Sequence, residues 1–99
     1  MSAQMPRMES RAHTNAALRV SLLEQPETAE ILTVEDLSRH GARAVSAIPW
    51  RKGDRVLVKA VKGTFTAYGR IVYCDAVGSE PYRFAVGFEF FSPTGTWEE

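Results

Sequence analysis

The feature that most restricts this chain is its period. Along 99 residues, six short runs alternate apolar and polar side chains every second position, and no window repeats at helical spacing. The first run starts at Ala16, with Leu18, Val20 and Leu22 on one face and Arg19 and Ser21 on the other. In the second, Ile31, Thr33 and Glu35 alternate with Leu32, Val34 and Asp36, inside a stretch (Thr28–Ser38) that also tolerates a helix. Ala42–Ile48, Arg55–Val61, Thr64–Tyr73 and Tyr82–Phe91 follow. Gly69 inside the fifth run predicts a bulge or a close backbone approach. Turn signals separate the runs: Gln25-Pro26, the Pro49–Asp54 loop, Lys62-Gly63 and Val77–Pro81.

Several short strands at regular spacing predict an all-β, six-stranded antiparallel barrel of Greek-key-like connectivity, because closure removes the exposed edges that such apolar strands otherwise present. A chain of this length builds one core. Phe65, Tyr68, Phe84, Val86, Phe88 and Phe90 are the expected core bulk, and Trp50 is read as a loop aromatic packed on a barrel end. The polar, aperiodic residues 1–14 read as a flexible arm, 15–91 as the barrel and 92–99 as a short tail.

Charge narrows the function. Twelve Lys and Arg balance twelve Asp and Glu, and zero net charge weighs against a protein that coats a nucleic-acid polymer. The balance is uneven along the chain. Leu23–Ser38 carries five acids and no base, while Arg39–Lys62 carries seven bases against Asp54 alone. The basic run is either a set of solvated strand faces or a positive rim for a phosphate ligand. No apolar run is long enough to cross a bilayer, so no membrane insertion is expected. Met1–Ser10 lacks the apolar core of a secretory signal, and a single Cys74 forms no internal disulfide; a reducing cytoplasm is the plain expectation.

Enzymatic constellations are poor. His13 and His40 stand without a cysteine or carboxylate at metal-ligand spacing. Cys74 has no histidine partner and reads as a buried structural thiol. Ser38 and His40 are two residues apart but lack a third member or an oxyanion feature. Neither an enzyme, a cofactor nor a metal is expected.

Two other patterns carry more. Asp36-Leu37-Ser38-Arg39-His40-Gly41 reads D-x-S-x-x-G, and Arg7-Met8-Glu9-Ser10-Arg11 reads R-x-x-x-R. The second spacing recurs at Arg39…Arg43 and Arg51…Arg55, so only order and separation single out the first pair. That order, closed by a last strand Tyr82-Arg83-Phe84-Ala85-Val86-Gly87-Phe88-Glu89-Phe90, resembles the PilZ domain family over roughly Arg7 to Phe91. The resemblance implies a barrel that binds cyclic di-GMP, with the arginine loop wrapping the dinucleotide against the barrel. By matching positions, Arg7 and Arg11 are the arm arginines, and Asp36, Ser38 and Gly41 are the barrel-side contacts; Arg70 and Tyr73 are additional candidates.

The residue types suit that ligand. Arginine forks pair with the acceptor edge of guanine or with phosphate oxygens. Asp36 accepts from the guanine ring N–H and amino group, and Ser38 donates or accepts. Gly41 permits close backbone approach or a positive φ. For Asp36 and Ser38 the plainer alternative is a turn-forming side-chain hydrogen bond. The chain departs from the family's pattern at Pro6, where many members carry a further arginine, so one ligand per chain is expected. It also has only Ser92–Glu99 after the last strand, too little for the C-terminal helix many members carry. The leading reading is a cyclic di-GMP sensor that relays the bacterial second messenger to an unidentified protein partner. The alternatives are a degenerate PilZ-like adapter that binds only protein, and a nucleic-acid-binding barrel in which Trp50 and Tyr73 stack bases.

Overall fold

A computed structural model of the chain describes residues 12–13, 15–78 and 83–98. All of its regular elements are strands: β1 (Ala12–His13), β2 (Ala17–Leu22), β3 (Ala29–Leu37), β4 (Gly41–Ser46), β5 (Arg55–Ala60), β6 (Thr66–Val77) and β7 (Arg83–Thr94). Two hairpin meanders, β2–β3–β4 and β5–β6–β7, build the barrel. Their outer strands join antiparallel, β2 to β5 and β4 to β7, which closes a six-stranded ring. The short β1 adds to β3 beyond β2, pairing Ala12 with Leu37 and His13 with Asp36.

The alternation read from the sequence is the inside and outside of this ring. Leu18 and Val20, Leu32 and Val34, Ala42 and Ala44, Val56 and Val58, Ala67 and Ile71, and Val86, Phe88 and Phe90 point inward and form one core. The ambiguous Thr28–Ser38 stretch is strand, because β3 is paired along both edges. One expected core residue is not in the core. Tyr68 is 54% exposed: Phe65, Ala67 and Ile71 occupy the inward positions, and strand period turns Tyr68 and Arg70 outward. Phe84 is only partly buried, at the margin of the core.

Both ends of the barrel are closed by chain. At one end the β4–β5 connection crosses over, carrying Trp50, the loop aromatic expected on a barrel end, which is buried against the core at 5% exposure. Glu30 at the start of β3 holds this crossover. Its carboxylate accepts from Ser46 Oγ (2.6 Å), Ala47 N (2.8 Å) and Trp50 Nε1 (3.0 Å). At the other end β7 runs past Phe91 to Thr94, and the following residues fold back over Phe65. Thr64 N and Phe65 N both donate to Thr96 O, and the Trp97 ring meets Phe65 edge-on at 5.3 Å. Arg39 fastens this end by donating to Pro93 O (3.0 Å) and Gly95 O (2.9 Å).

Candidate functional site

A break in the β3–β4 ladder places the acidic motif. Strict alternation from Leu32 and Val34 would send Asp36 into the core, where an unpaired carboxylate is costly. Instead the register shifts between Val34 and Asp36, where a bulge inserts one extra residue. Leu37 becomes the next inward side chain, fully buried, and Asp36 lies half-buried outside it, opposite Arg43.

The motif then turns. Ser38 N donates to Gly41 O (2.9 Å), and the Ser38 hydroxyl accepts from His40 N (3.2 Å) while facing Gly41 O at 3.4 Å. The plainer expectation for Ser38, a turn-forming hydroxyl, therefore holds. One hydroxyl lone pair remains available, since a serine oxygen accepts twice. Gly41 is required for closeness: a Cβ there would stand 2.3 Å from Phe88 O. Its φ is not positive, so of the two roles expected for it only the close approach applies.

Cross-strand register lines up an outer row beside this turn. Asp36 of β3 pairs with Arg43 of β4, Arg43 with Gly87 of β7, and Gly87 with Tyr73 of β6. Gly87 is the notch in the row. The Tyr73 ring lies directly over it, and a Cβ at Gly87 would fall 2.1 Å from Tyr73 Cε2. Between the row and the turn is an open cavity of about 320 Å³, bordered by Ser38, His40, Gly41, Arg43, Tyr73 and Gly87.

Of the expected site residues, Ser38, Gly41 and Tyr73 thus meet at one cavity, with Asp36 next to Arg43 on its border strand. Arg70 does not join them. It belongs to the next outer row, Gly41–Glu89–Arg70–Arg55, and its guanidinium is held by Glu89 at 2.6 Å. Arg7 and Arg11 lie outside the described residues. Arg43 and His40 were not expected at the cavity. Arg43 belongs to one of the look-alike R-x-x-x-R pairs, which the fold splits: Arg39 binds the C-terminal carbonyls, while Arg43 faces the cavity with Glu35 3.3 Å from its Nε. Its signal in the sequence was the outward position between the inward Ala42 and Ala44.

Cys74 stands apart from the cavity, half-buried within β6 and packed on the core margin. Burial pushes its thiol pKa up, a hydrogen bond with the Trp50 backbone opposes this, and the charges of Asp75 and Glu30 add to the rise. That is the opposite of an activated nucleophile. Among the described residues no three His, Cys, Asp or Glu side chains gather to hold a metal ion.

A family model described as PilZ domain matches residues 6–96. No curated protein and no solved structure matches the chain.

Proposed function

This chain belongs to the PilZ domain family, whose members are cyclic di-GMP receptors and adapters rather than enzymes, and on that premise we propose that it is a cytoplasmic cyclic di-GMP sensor. The observation that carries the reading is the juxtaposition of the Asp36–Arg43–Gly87–Tyr73 row with the Ser38–Gly41 turn. Asp36 accepts from a guanine N–H edge, Ser38 contributes its remaining lone pair, and the Arg43 fork meets a phosphate or guanine O6 and N7. The Tyr73 ring offers a face on which a base stacks. The pairing of Ala12 with Leu37 supports a role for the arm, because it brings Ala12, next in sequence after Arg11, to the Ser38 end of β3. Arg7 and Arg11 close on the nucleotide from there, and the closed arm presents a new surface to a partner protein. With Pro6 ahead of Arg7, one ligand binds per chain.

Calorimetry with cyclic di-GMP, with GTP and cyclic di-AMP as controls, tests this reading. Bidentate arginine contacts are worth about 1–3 kcal/mol each, so Arg7→Ala with Arg11→Ala should weaken binding by about 30-fold or more. Arg51→Ala with Arg55→Ala, the same spacing across the β4–β5 connection and the start of β5, should cost well under ~1 kcal/mol, since distant exposed charges are screened. Equal losses from two folded double variants would leave only a non-specific basic surface.

A further inference from the structure

The outer face of β5–β6–β7 carries a second recognition surface, separate from the motif cavity. Its centre is an apolar row of cross-strand partners, Leu57 of β5, Tyr68 of β6 and Phe91 of β7. Tyr68 and Phe91 are 54% and 46% exposed, and with Leu23 they border a groove of about 350 Å³ that also reaches Arg55 and Arg70. Solvating two aromatic rings and a leucine on one face is unfavourable, and a contiguous exposed apolar patch marks an interaction site.

Basic side chains face one another beside the row. Arg55 pairs directly with Arg70, and Arg19 pairs directly with Lys59. Like charges directly opposite each other on neighbouring strands destabilise a sheet. On β5 one member of each pair, Arg55 and Lys59, stands two residues from Leu57, about 7 Å to either side of the apolar row by strand geometry. Arg70 is neutralised by Glu89. Among the described residues Arg19, Arg55 and Lys59 have no salt bridge. Along β5 the face therefore reads cation, apolar, cation, while at β6 and β7 the apolar row lies between the Arg70–Glu89 ion pair and Thr66 and Thr94.

We propose that this face docks an acidic segment of a partner protein, with an aromatic or aliphatic side chain seated between Tyr68 and Phe91 and carboxylates on both sides of it. Charge complementarity selects acidic over basic partners. The apolar side chains border a depression between strands, which admits a narrow segment; a flat lipid surface would not reach its floor. The inference does not depend on nucleotide binding, since none of these residues borders the motif cavity.

The test is an NMR titration of the full-length 15N-labelled protein with a blocked pentapeptide, a phenylalanine between two acidic residues on each side. The amides of Leu57, Tyr68, Arg70 and Phe91 should shift. The same peptide with alanine at the centre should bind about tenfold more weakly, a loss that corresponds to one buried ring contact. Arg55→Glu should weaken the acidic probe by a similar factor and improve binding of its lysine counterpart. That variant should unfold at the same or a higher urea concentration, because it replaces the opposed arginines with an ion pair. Shifts confined to the motif cavity, equal affinity for the acidic and basic peptides, equal binding to phosphatidylglycerol vesicles, or concentration-dependent shifts of the same amides without peptide would each overturn the proposal. Cyclic di-GMP calorimetry on Arg55→Glu separates the two sites: unchanged nucleotide affinity with lost peptide binding is the expected pattern.

Discussion

Gly87 and Tyr73 define each other. The ring occupies the space where any other residue at 87 would carry its Cβ, and it forms the wall of the motif cavity in doing so. Gly87→Ala should therefore displace the ring, at a cost of about 1–3 kcal/mol for overpacking. Tyr73 itself is tested by a pair of variants. If a guanine stacks on it, Tyr73→Ala loses about 1–3 kcal/mol of cyclic di-GMP affinity while Tyr73→Phe keeps nearly all of it. Equal losses from both variants would mean that the hydroxyl, not the ring face, makes the contact. Cys74 supplies a pH test. Its folded thiol holds its proton to higher pH than the unfolded thiol does. In the alkaline window between those two pKa values the folded state binds more protons, so stability falls as pH rises through it and is unaffected below. Cys74→Ser should flatten that alkaline fall in urea titrations run at stepped pH.

Among the elements, the β4–β5 crossover depends most on one side chain. A connection that leaves one meander and enters the other has no ladder of its own, and Glu30 supplies the missing hydrogen bonds to Ser46, Ala47 and Trp50. Trp50 is buried, so removing the carboxylate strands its indole N–H, while the Ser46 hydroxyl keeps Ile48 O (2.7 Å) as an acceptor. Hydrogen bonds to a charged group contribute about 1.5–3 kcal/mol, and unsatisfied buried donors add their desolvation, so Glu30→Ala should cost about 2–4 kcal/mol. A urea midpoint that does not move would show that Trp50 packing and the Ser46–Ile48 hydrogen bonds hold the crossover without the carboxylate. The bulge in β3 acts in the same way on the motif: one extra residue turns Asp36 out of the core and Leu37 into it. The chain at and just beyond the end of β7 is likewise held by partners: Arg39 binds Pro93 O and Gly95 O, and the Thr64 and Phe65 amides bind Thr96 O.

Seen whole, the barrel has two distinct outward faces. The β3–β4–β7–β6 side bears the motif cavity, and the β5–β6–β7 side bears the apolar groove that Arg55 and Arg70 border. Strands β6 and β7 belong to both, through Tyr73 and Gly87 on one face and Tyr68 and Phe91 on the other. A ligand that binds only the folded chain stabilises it by mass action, by about 2.7 kcal/mol at a hundredfold excess over Kd. For a domain near 100 residues each kcal/mol raises Tm by about 4–8 °C, so saturating cyclic di-GMP should give an upward shift of more than about 10 °C. Arg7→Ala with Arg11→Ala should remove most of that shift and leave the nucleotide-free Tm in place. A lowered nucleotide-free Tm would instead assign the two arginines a structural role in the barrel.

Features carried by a local period or a local motif were legible along the chain. Six runs of alternation became six strands, because side chains on a strand alternate faces whatever lies beside them. D-x-S-x-x-G became a tight turn at a strand end, with Ser38 and Gly41 in roles their chemistry allows. The ends of the long strands were less legible. β6 runs four residues past Tyr73 and β7 three past Phe91, because ladder partners extend a strand beyond its alternating pattern. Tertiary structure alone decided which outward residues share a row. Arg43, Gly87 and Tyr73 are far apart in the chain and adjacent only because β4, β7 and β6 pair in one register. It also decided that Tyr68 stands in solvent and that Arg39 and Arg43 part company. Register and closure are set by contacts between distant segments, and a one-residue shift in either exchanges inside for outside.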